Sequence, residues 1–237
     1  MTNKIQTGDV VMSGPMLRQE ASQGRPAKLL NATWTQRGIL ATGAHHTHDE
    51  IAIETPYGIM LGDAEPPHYI LRPYSEEEDA CKAGKRIMAV FRWHEFVSQG
   101  ESQITDNGSQ STERPSSAWG YRLRNYCRFQ DGVTACVKLM ADRKLPYDDQ
   151  GIRTHARNYL RSLLPFKLPI LGKHVEYAVY CTEGCFAIYR VNGIDLNEIL
   201  GFQPLPSPIH FERLIRQGCF VLVADYGLMK ILNGELV

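Results

Sequence analysis

A series of short alternating segments separated by turn residues constrains the fold of this 237-residue chain more than any other feature. Residues 48–74 read "HDEIAIETPYGIMLGDAEPPHYILRPY". Within them "EIAIE" alternates apolar and polar side chains, "TPYG" is typical of a hairpin turn, and "HYILRPY" is a further strand-like run. Together with "RGILATG" at residues 37–43, this segment predicts consecutive short strands that include a hairpin.

Strands and helices are segregated along the rest of the chain. "GDVVMSG" (residues 8–14) predicts a strand, and residues 15–37 are polar and irregular and predict a long loop. A capping box at Ser75 and Glu78 introduces helical spacing over residues 75–97. Helices are also predicted at residues 121–143 and 205–218, and residues 144–164 predict a turn followed by a helix. An apolar strand at residues 219–225 follows. This order favours a single α+β domain over residues 1–237.

Charge and apolar runs limit the classes of partner. Lys plus Arg and Asp plus Glu number 26 each, so the formal net charge is zero and no nucleic acid partner is expected. The N-terminus has no signal-peptide core, and no run approaches the roughly 18 apolar residues of a transmembrane segment. The chain is therefore expected in the cytoplasm or as a phage or virion component, with most of its six cysteines reduced.

The segment "VEYAVYCTEGCFAIYR" (residues 175–190) contains the first candidate for chemistry. Alternation up to Val179 predicts a strand, and helical spacing follows. A cysteine in the first turn of a helix is favoured as a thiolate, because the N–H groups and the positive end of the helix stabilise negative charge. Cys181 is therefore a candidate nucleophile, although burial in the core is the commoner explanation for such a cysteine. Cys185, one turn later, is predicted to pack in the core.

A cysteine nucleophile needs a base, and histidines cluster in "GAHHTHDEIAIE" at residues 43–54. His48 directly precedes the alternating strand, which would hold its backbone while its side chain reaches a cleft. His45 and His46 lie further out and are predicted to be solvated loop residues. His48 is therefore the candidate base.

Carboxylates follow the next apolar run, where Asp63 or Glu65 could orient the imidazole of the base. The histidine cluster, with Asp49 or Glu50, could instead bind a metal ion. Three loop histidines within four residues would converge on one ion only with an unusual backbone, so neither a metal nor a cofactor is predicted.

In their order along the chain, these segments resemble the circularly permuted, YiiX-like branch of the NlpC-type papain-like cysteine peptidases and amidases. The matching motifs are "GDVVMSG", "THDEIAIE", "GIMLGDAEPPHYILRPYSEEE", "PYD" at 146–148, "YCTE" at 180–183 and "PSPIHFERLIRQG". They extend over most of the chain. Residues 82–140, which include the Ser-, Gln-, Gly- and Thr-rich stretch that begins at residue 98, are predicted to be a helical and polar-loop insertion.

The resemblance implies a permuted papain-like fold, with a small antiparallel sheet or half-barrel packed against helices. It implies that Cys181 attacks a carbonyl carbon, that His48 transfers the proton and that Asp63 orients the imidazole. Family members usually have Glu at the position of Asp63. Either the strands lie closer together here, or Glu65 orients the imidazole instead, or this orienting role is weak. Asp49 and Glu50, which replace a small apolar flank, would raise the pKa of the base or point to solvent.

The function implied by the resemblance is hydrolysis of an amide, as a peptide or isopeptide bond in peptidoglycan. The same scaffold also hosts thioesterases and acyltransferases that act on lipids. A structural or virion component with a decayed active site is the alternative from another class, supported by the departures around His48 and Asp63.

Overall fold

The computed structural model describes residues 4–15, 39, 44–96, 117–148, 178–201 and 206–233, and of residues 117–124 the backbone alone. Within these ranges the strands are β1 (Val10–Pro15), β2 (His48–Thr55), β3 (Gly58–Glu65), β4 (His68–Pro73), β5 (Arg86–Trp93) and β6 (Phe220–Tyr226). The α-helices are α1 (Tyr74–Lys82), α2 (Ser117–Asp142), α3 (Cys181–Val191), α4 (Leu196–Ile199), α5 (Pro208–Arg216) and α6 (Leu228–Leu232), and a 3-10 turn spans His94–Phe96.

The strands form one antiparallel sheet in the order β4-β3-β2-β1-β5-β6. As the alternation predicts, β2, β3 and β4 are neighbours, and a turn at residues 56–57 joins the first two. β1 pairs with β2 and β5, so that Val10 lies opposite both Ile51 and Phe91. The molecule is therefore an α+β protein built on a six-stranded antiparallel sheet, and the α+β prediction is confirmed.

Alternating side chains give the sheet two apolar faces. On the larger face, residues such as Val10 and Ile51 pack against buried side chains of α2, α3, α5 and α6. On the smaller face, Val11 and Ala52 pack with Tyr74 of α1. Helices therefore cover both faces, and burial of this apolar surface stabilises the fold.

Helix α1 is shorter than the sequence predicts. It ends at Lys82, and residues 86–93 form β5, so the prediction of helix up to residue 97 is wrong there. The predicted capping box is also wrong, because the helix begins at Tyr74 with Pro73 as its N-cap and no capping side chain. The run "RIMAVFRW" packs on both faces of the sheet, and such a doubly buried strand lacks the alternation that distinguishes a strand from a helix.

The range 82–140, predicted as an insertion, contains parts of the core. β5 has a paired strand on each side, and Val133 and Val137 of α2 are fully buried. The predicted helices at 121–143 and 205–218 and the predicted strand at 219–225 are confirmed by α2, α5 and β6. Ile39 is helical, so the predicted strand is wrong at that residue. Other predictions lie outside the described residues, at 16–38, 40–43, 97–116, 149–164 and 175–177.

Candidate functional site

Cys181 is the first residue of α3 and is buried. The segment before it is fixed by backbone bonds: the Val179 N–H donates to the Pro146 carbonyl, and the Asp148 N–H donates to the Val179 carbonyl. Tyr180 is the N-cap in an extended conformation, and its side chain does not cap the helix. The thiol therefore lies at the positive end of a helix whose first turn lacks a side-chain cap, where negative charge is stabilised.

His48 connects Cys181 to Asp63. Its Nε2 lies 2.5 Å from Asp63 Oδ1, and its ring lies near enough to the Cys181 thiol for the two groups to interact electrostatically. Burial alone would lower the pKa of His48, but the negative charges of Asp63 and Cys181 outweigh it and raise the pKa well above its ordinary value. The three side chains selected from the sequence thus meet where β2, β3 and the start of α3 come together.

Arg72 holds the other oxygen of the Asp63 carboxylate. Its Nε donates to Asp63 Oδ2 at 2.7 Å, and its two terminal nitrogens donate to Glu77 and Glu50. These partners come from β3, α1 and β2, so the guanidinium of β4 joins three elements. Because both oxygens of Asp63 are engaged, its carboxylate has a fixed orientation towards His48.

The three carboxylates around this guanidinium differ in charge. Burial raises the pKa of Asp63, but His48 and Arg72 outweigh it and lower the pKa to about 2. Burial and the charge of Asp63 raise the pKa of Glu50 to about 8, against the opposing effect of His48 and Arg72. Negative charge is therefore favoured on Asp63, the carboxylate that contacts the imidazole, more strongly than on Glu50.

His48, Glu50 and Asp63 also form a group of potential metal ligands. Each offers a ligand atom within 4.8 Å of the others. Arg72, however, already donates to both carboxylates, so its guanidinium supplies the cation that these residues need. A metal ion would have to displace it, and the donor set is therefore a poor fit for one.

A second buried network lies beside the first. His46 Nε2 lies 2.7 Å from Asp49 Oδ1, and His46 Nδ1 lies 3.0 Å from Glu212 Oε1. Thr182 Oγ1 donates to the other oxygen of Asp49 at 2.5 Å, and His45 Nδ1 lies 2.9 Å from Glu212 Oε2. The ring nitrogens of His45 and His46 are thus engaged with carboxylates.

Several flanking residues lie in environments that differ from those predicted. The His46 side chain is fully buried, so the prediction of a solvated loop residue is wrong, whereas the His45 side chain is 36% exposed. Asp49 and Glu50 are both buried, and neither points to solvent. Cys185 is buried in the core, as predicted.

Glu65, the alternative third residue, ends β3 opposite His68, and among the described residues no hydrogen bond joins it to His48. Sequence reasoning missed Arg72, Thr182 and Glu212. A basic residue within the apolar run of β4 was the one local signal for the first of these. The partners of the other two lie far away in the chain.

Neither the protein-family models nor the curated proteins gave a match to this chain. Within the described ranges, the helices are all too short or too polar to cross a bilayer.

Proposed function

We propose that this chain is a cysteine hydrolase with a permuted papain-like fold, which cleaves an amide bond through Cys181, His48 and Asp63. One observation carries the proposal: a thiol, an imidazole and a carboxylate interact in series at the start of a helix. In such a triad the base activates the nucleophile and the acid holds the base in the required tautomer.

In the proposed reaction, the Cys181 thiolate attacks the carbonyl carbon of a peptide or isopeptide bond. The His48 imidazolium gives its proton to the departing amine, and the acyl group remains on the sulfur as a thioester. Water that loses a proton to His48 then hydrolyses the thioester and releases the acid and the thiolate. Asp63 keeps its negative charge throughout and stabilises the imidazolium.

The N-terminus of α3 supplies a donor for the tetrahedral intermediate. The first backbone hydrogen bond of this helix runs from the Gly184 N–H to the Tyr180 carbonyl. The backbone N–H of Cys181 precedes that bond, and we assign it to the developing oxyanion. The same helix end thus stabilises both the thiolate and the intermediate that forms from it.

Peptidoglycan is the proposed source of the amide, on the basis of the motif order that this chain shares with the YiiX-like family. A lipid thioester or ester is the alternative substrate, because the same nucleophile and proton transfer serve any acyl carbonyl. A decayed structural component is the alternative from another class. The buried charges of Asp63 and Arg72 weigh against decay, since such charges cost stability and persist where a function requires them.

The pH dependence of Cys181 alkylation by iodoacetamide, quantified by peptide mass spectrometry, tests the proposal. We expect rapid labelling at about pH 6, because an imidazolium–thiolate pair reacts where ordinary thiols are protonated. His48→Ala is expected to abolish it. Labelling that rises only above about pH 8 in both proteins would contradict the enzyme proposal.

Two other cysteines of the same protein serve as internal controls. Exposed Cys127 reports the labelling of a solvent-accessible thiol outside the site. Buried Cys185 reports access to the core, and its pKa is raised well above the ordinary value by burial. Once the pair is established, peptidoglycan peptides and acyl thioesters are compared as substrates. Turnover of the thioester alone would replace the amidase proposal with the lipid alternative.

A further inference from the structure

A second pair of residues, one beside each member of the proposed catalytic pair, links the same two elements. Asp49 follows His48 in β2, and Thr182 follows Cys181 in α3. The Thr182 hydroxyl donates to Asp49 Oδ2 at 2.5 Å, across 133 residues of chain. The two elements that carry the base and the nucleophile are therefore connected next to the reacting groups.

The Asp49 carboxylate is fixed from both sides. Its Oδ2 accepts from Thr182, and its Oδ1 lies 2.7 Å from Nε2 of His46. The other ring nitrogen of His46 lies 3.0 Å from Glu212 Oε1. Ionised carboxylates only accept hydrogen bonds, so both ring nitrogens of His46 carry protons and the ring is an imidazolium. This cation joins β2 to α5, and Thr182 attaches α3 to it through Asp49.

The network is shielded from water. The side chains of His46 and Asp49 are 0% exposed, and that of Glu212 is 2% exposed. In such surroundings charged hydrogen bonds are strong, and the loss of one partner leaves a buried charge unpaired. The groups are therefore held in a single arrangement.

We propose that Thr182 and Asp49 form a clamp, which sets the position of the Cys181 thiol against the His48 imidazole. The clamp rests on the proposed function, because it positions the nucleophile and the base of that reaction. Buried His46 holds the carboxylate of the clamp. Thr182 also touches the nucleophile directly, because its Oγ1 lies 3.9 Å from the Cys181 sulfur. Asp49 acts through Thr182 and is a positioning residue. Geometry matters here because a displacement of about 1 Å can slow a reaction about a hundredfold.

The rate of Cys181 alkylation at about pH 6 tests the clamp. Thr182→Val keeps the shape of the side chain and removes the hydroxyl, and we expect the rate to fall about ten- to a hundredfold. Thr182→Ser keeps the donor and is expected to restore the rate to within about threefold of wild type. A folded Thr182→Val protein with the wild-type rate would overturn the clamp. If Thr182→Val does not fold, Thr182→Ala carries the same expectation.

Thr7→Val is the matched control. The Thr7 hydroxyl is buried and accepts a hydrogen bond from the Glu54 N–H at 2.8 Å, and it belongs to neither network of the site. We expect both valine variants to lose stability, and the alkylation rate to fall in Thr182→Val alone. An equal fall in both variants would mean that stability rather than position governs the rate, and would also overturn the clamp.

The His48 pKa, followed by NMR of the ring protons, separates the clamp from the proposed function. The negative charge of Cys181 contributes to the raised pKa of His48, so Cys181→Ala is expected to lower it. Thr182→Val is expected to lower it as well, since the thiol moves away, and an unchanged pKa would contradict the clamp. Failure of the proposed function would look different: Cys181 would be alkylated at the same rate in the wild type and in His48→Ala. In that case the NMR titration still decides whether the clamp exists.

Discussion

At the scale of single residues, the Asp63 carboxylate, on a side chain one methylene shorter than that of glutamate, is shared between His48 and Arg72. β2 and β3 are adjacent, and the shorter side chain reaches His48 Nε2 at 2.5 Å. Arg72 supports the opposite oxygen at 2.7 Å. Among the described residues, Asp63 rather than Glu65 forms the hydrogen bond with His48.

Asp63→Asn is expected to slow Cys181 alkylation at about pH 6 by tenfold or more. The neutral amide cannot stabilise the His48 imidazolium, so the pair loses the charge that favours its ionised form. The matched control is Asp9→Asn. Asp9 is also buried and bonds to an arginine, Arg92, through both oxygens at 2.8 Å, but that pair lies elsewhere. Equal rates in the two variants would refute the role given to Asp63.

Glu50→Gln is expected to stabilise the protein at neutral pH. The pKa of Glu50 is raised to about 8 by burial and by Asp63, so the folded state holds a proton that the unfolded state releases. Glutamine removes that cost and keeps an acceptor for Arg72. Urea unfolding should show equal stability at about pH 4.5 and a gain of about 1–3 kcal/mol at pH 7. A loss of stability at pH 7 would show that Glu50 is ionised there.

At the scale of elements, α2 approaches β3 so closely that Gly62 has no room for a side chain. A Cβ at this residue would lie 2.3 Å from the Tyr69 hydroxyl and 2.7 Å from Cγ1 of Val137. We expect Gly62→Ala to lower the free energy of unfolding by about 1–3 kcal/mol. Gly184→Ala is the control in α3, where the nearest atom is 3.6 Å away and alanine favours the helix by up to about 1 kcal/mol. Chemical denaturation should give opposite signs for the two variants.

Local patterns predicted the elements whose two faces differ in polarity. β2 alternates in "EIAIE" and is followed by a turn signal, α2 has helical spacing, and α5 follows a Ser-Pro start at Ser207. β5 was missed because it is buried on both faces, so that its apolar run lacks the alternation of a half-buried strand.

The candidate site was predictable only in part, for a related reason. Cys181 and His48 lie at the starts of a helix and a strand, and sequence patterns mark such positions. The bonds from Arg72 to Glu50 and from Thr182 to Asp49 join residues that the fold brings together across 22 and 133 positions. No local spacing encodes such pairs.

At the scale of the whole molecule, a formal net charge of zero conceals a concentration of buried charge. Asp49 and Asp63 are at most 1% exposed, and Glu212 is 2% exposed. Their cationic partners are His46, which lies three residues before Asp49 and also contacts Glu212, and Arg72, which lies on the strand next to that of Asp63. Protonation of these groups is therefore coupled to folding, and stability must depend on pH.

Stability is lost as pH rises above neutrality because of one group, and as pH falls below neutrality because of another. Burial alone would lower the pKa of His46, but Asp49 and Glu212 raise it from 6.5 to about 9. Its contribution to stability is complete below about pH 6.5 and is lost as pH rises through 9. Burial raises the pKa of Glu212, but His46 and His45 outweigh it and lower the pKa from 4.5 to about 2. That contribution is present above about pH 4.5 and is lost as pH falls through 2.

The free energy of unfolding is therefore expected to be largest at about pH 5 and to fall towards pH 9 by several kcal/mol, with a second fall below about pH 4. Glu50 acts in the alkaline direction as well, because its pKa of about 8 makes the folded state retain a proton as pH rises from 4.5. Urea unfolding at about pH 3, 5, 7 and 9 measures the profile. Glu50→Gln should remove the fall between about pH 4.5 and 6.5, make it shallower up to about pH 8, and leave the fall above about pH 6.5 that comes from His46 and His48. Stability that stays constant from about pH 5 to 9 would mean that the buried imidazolium does not contribute to folding.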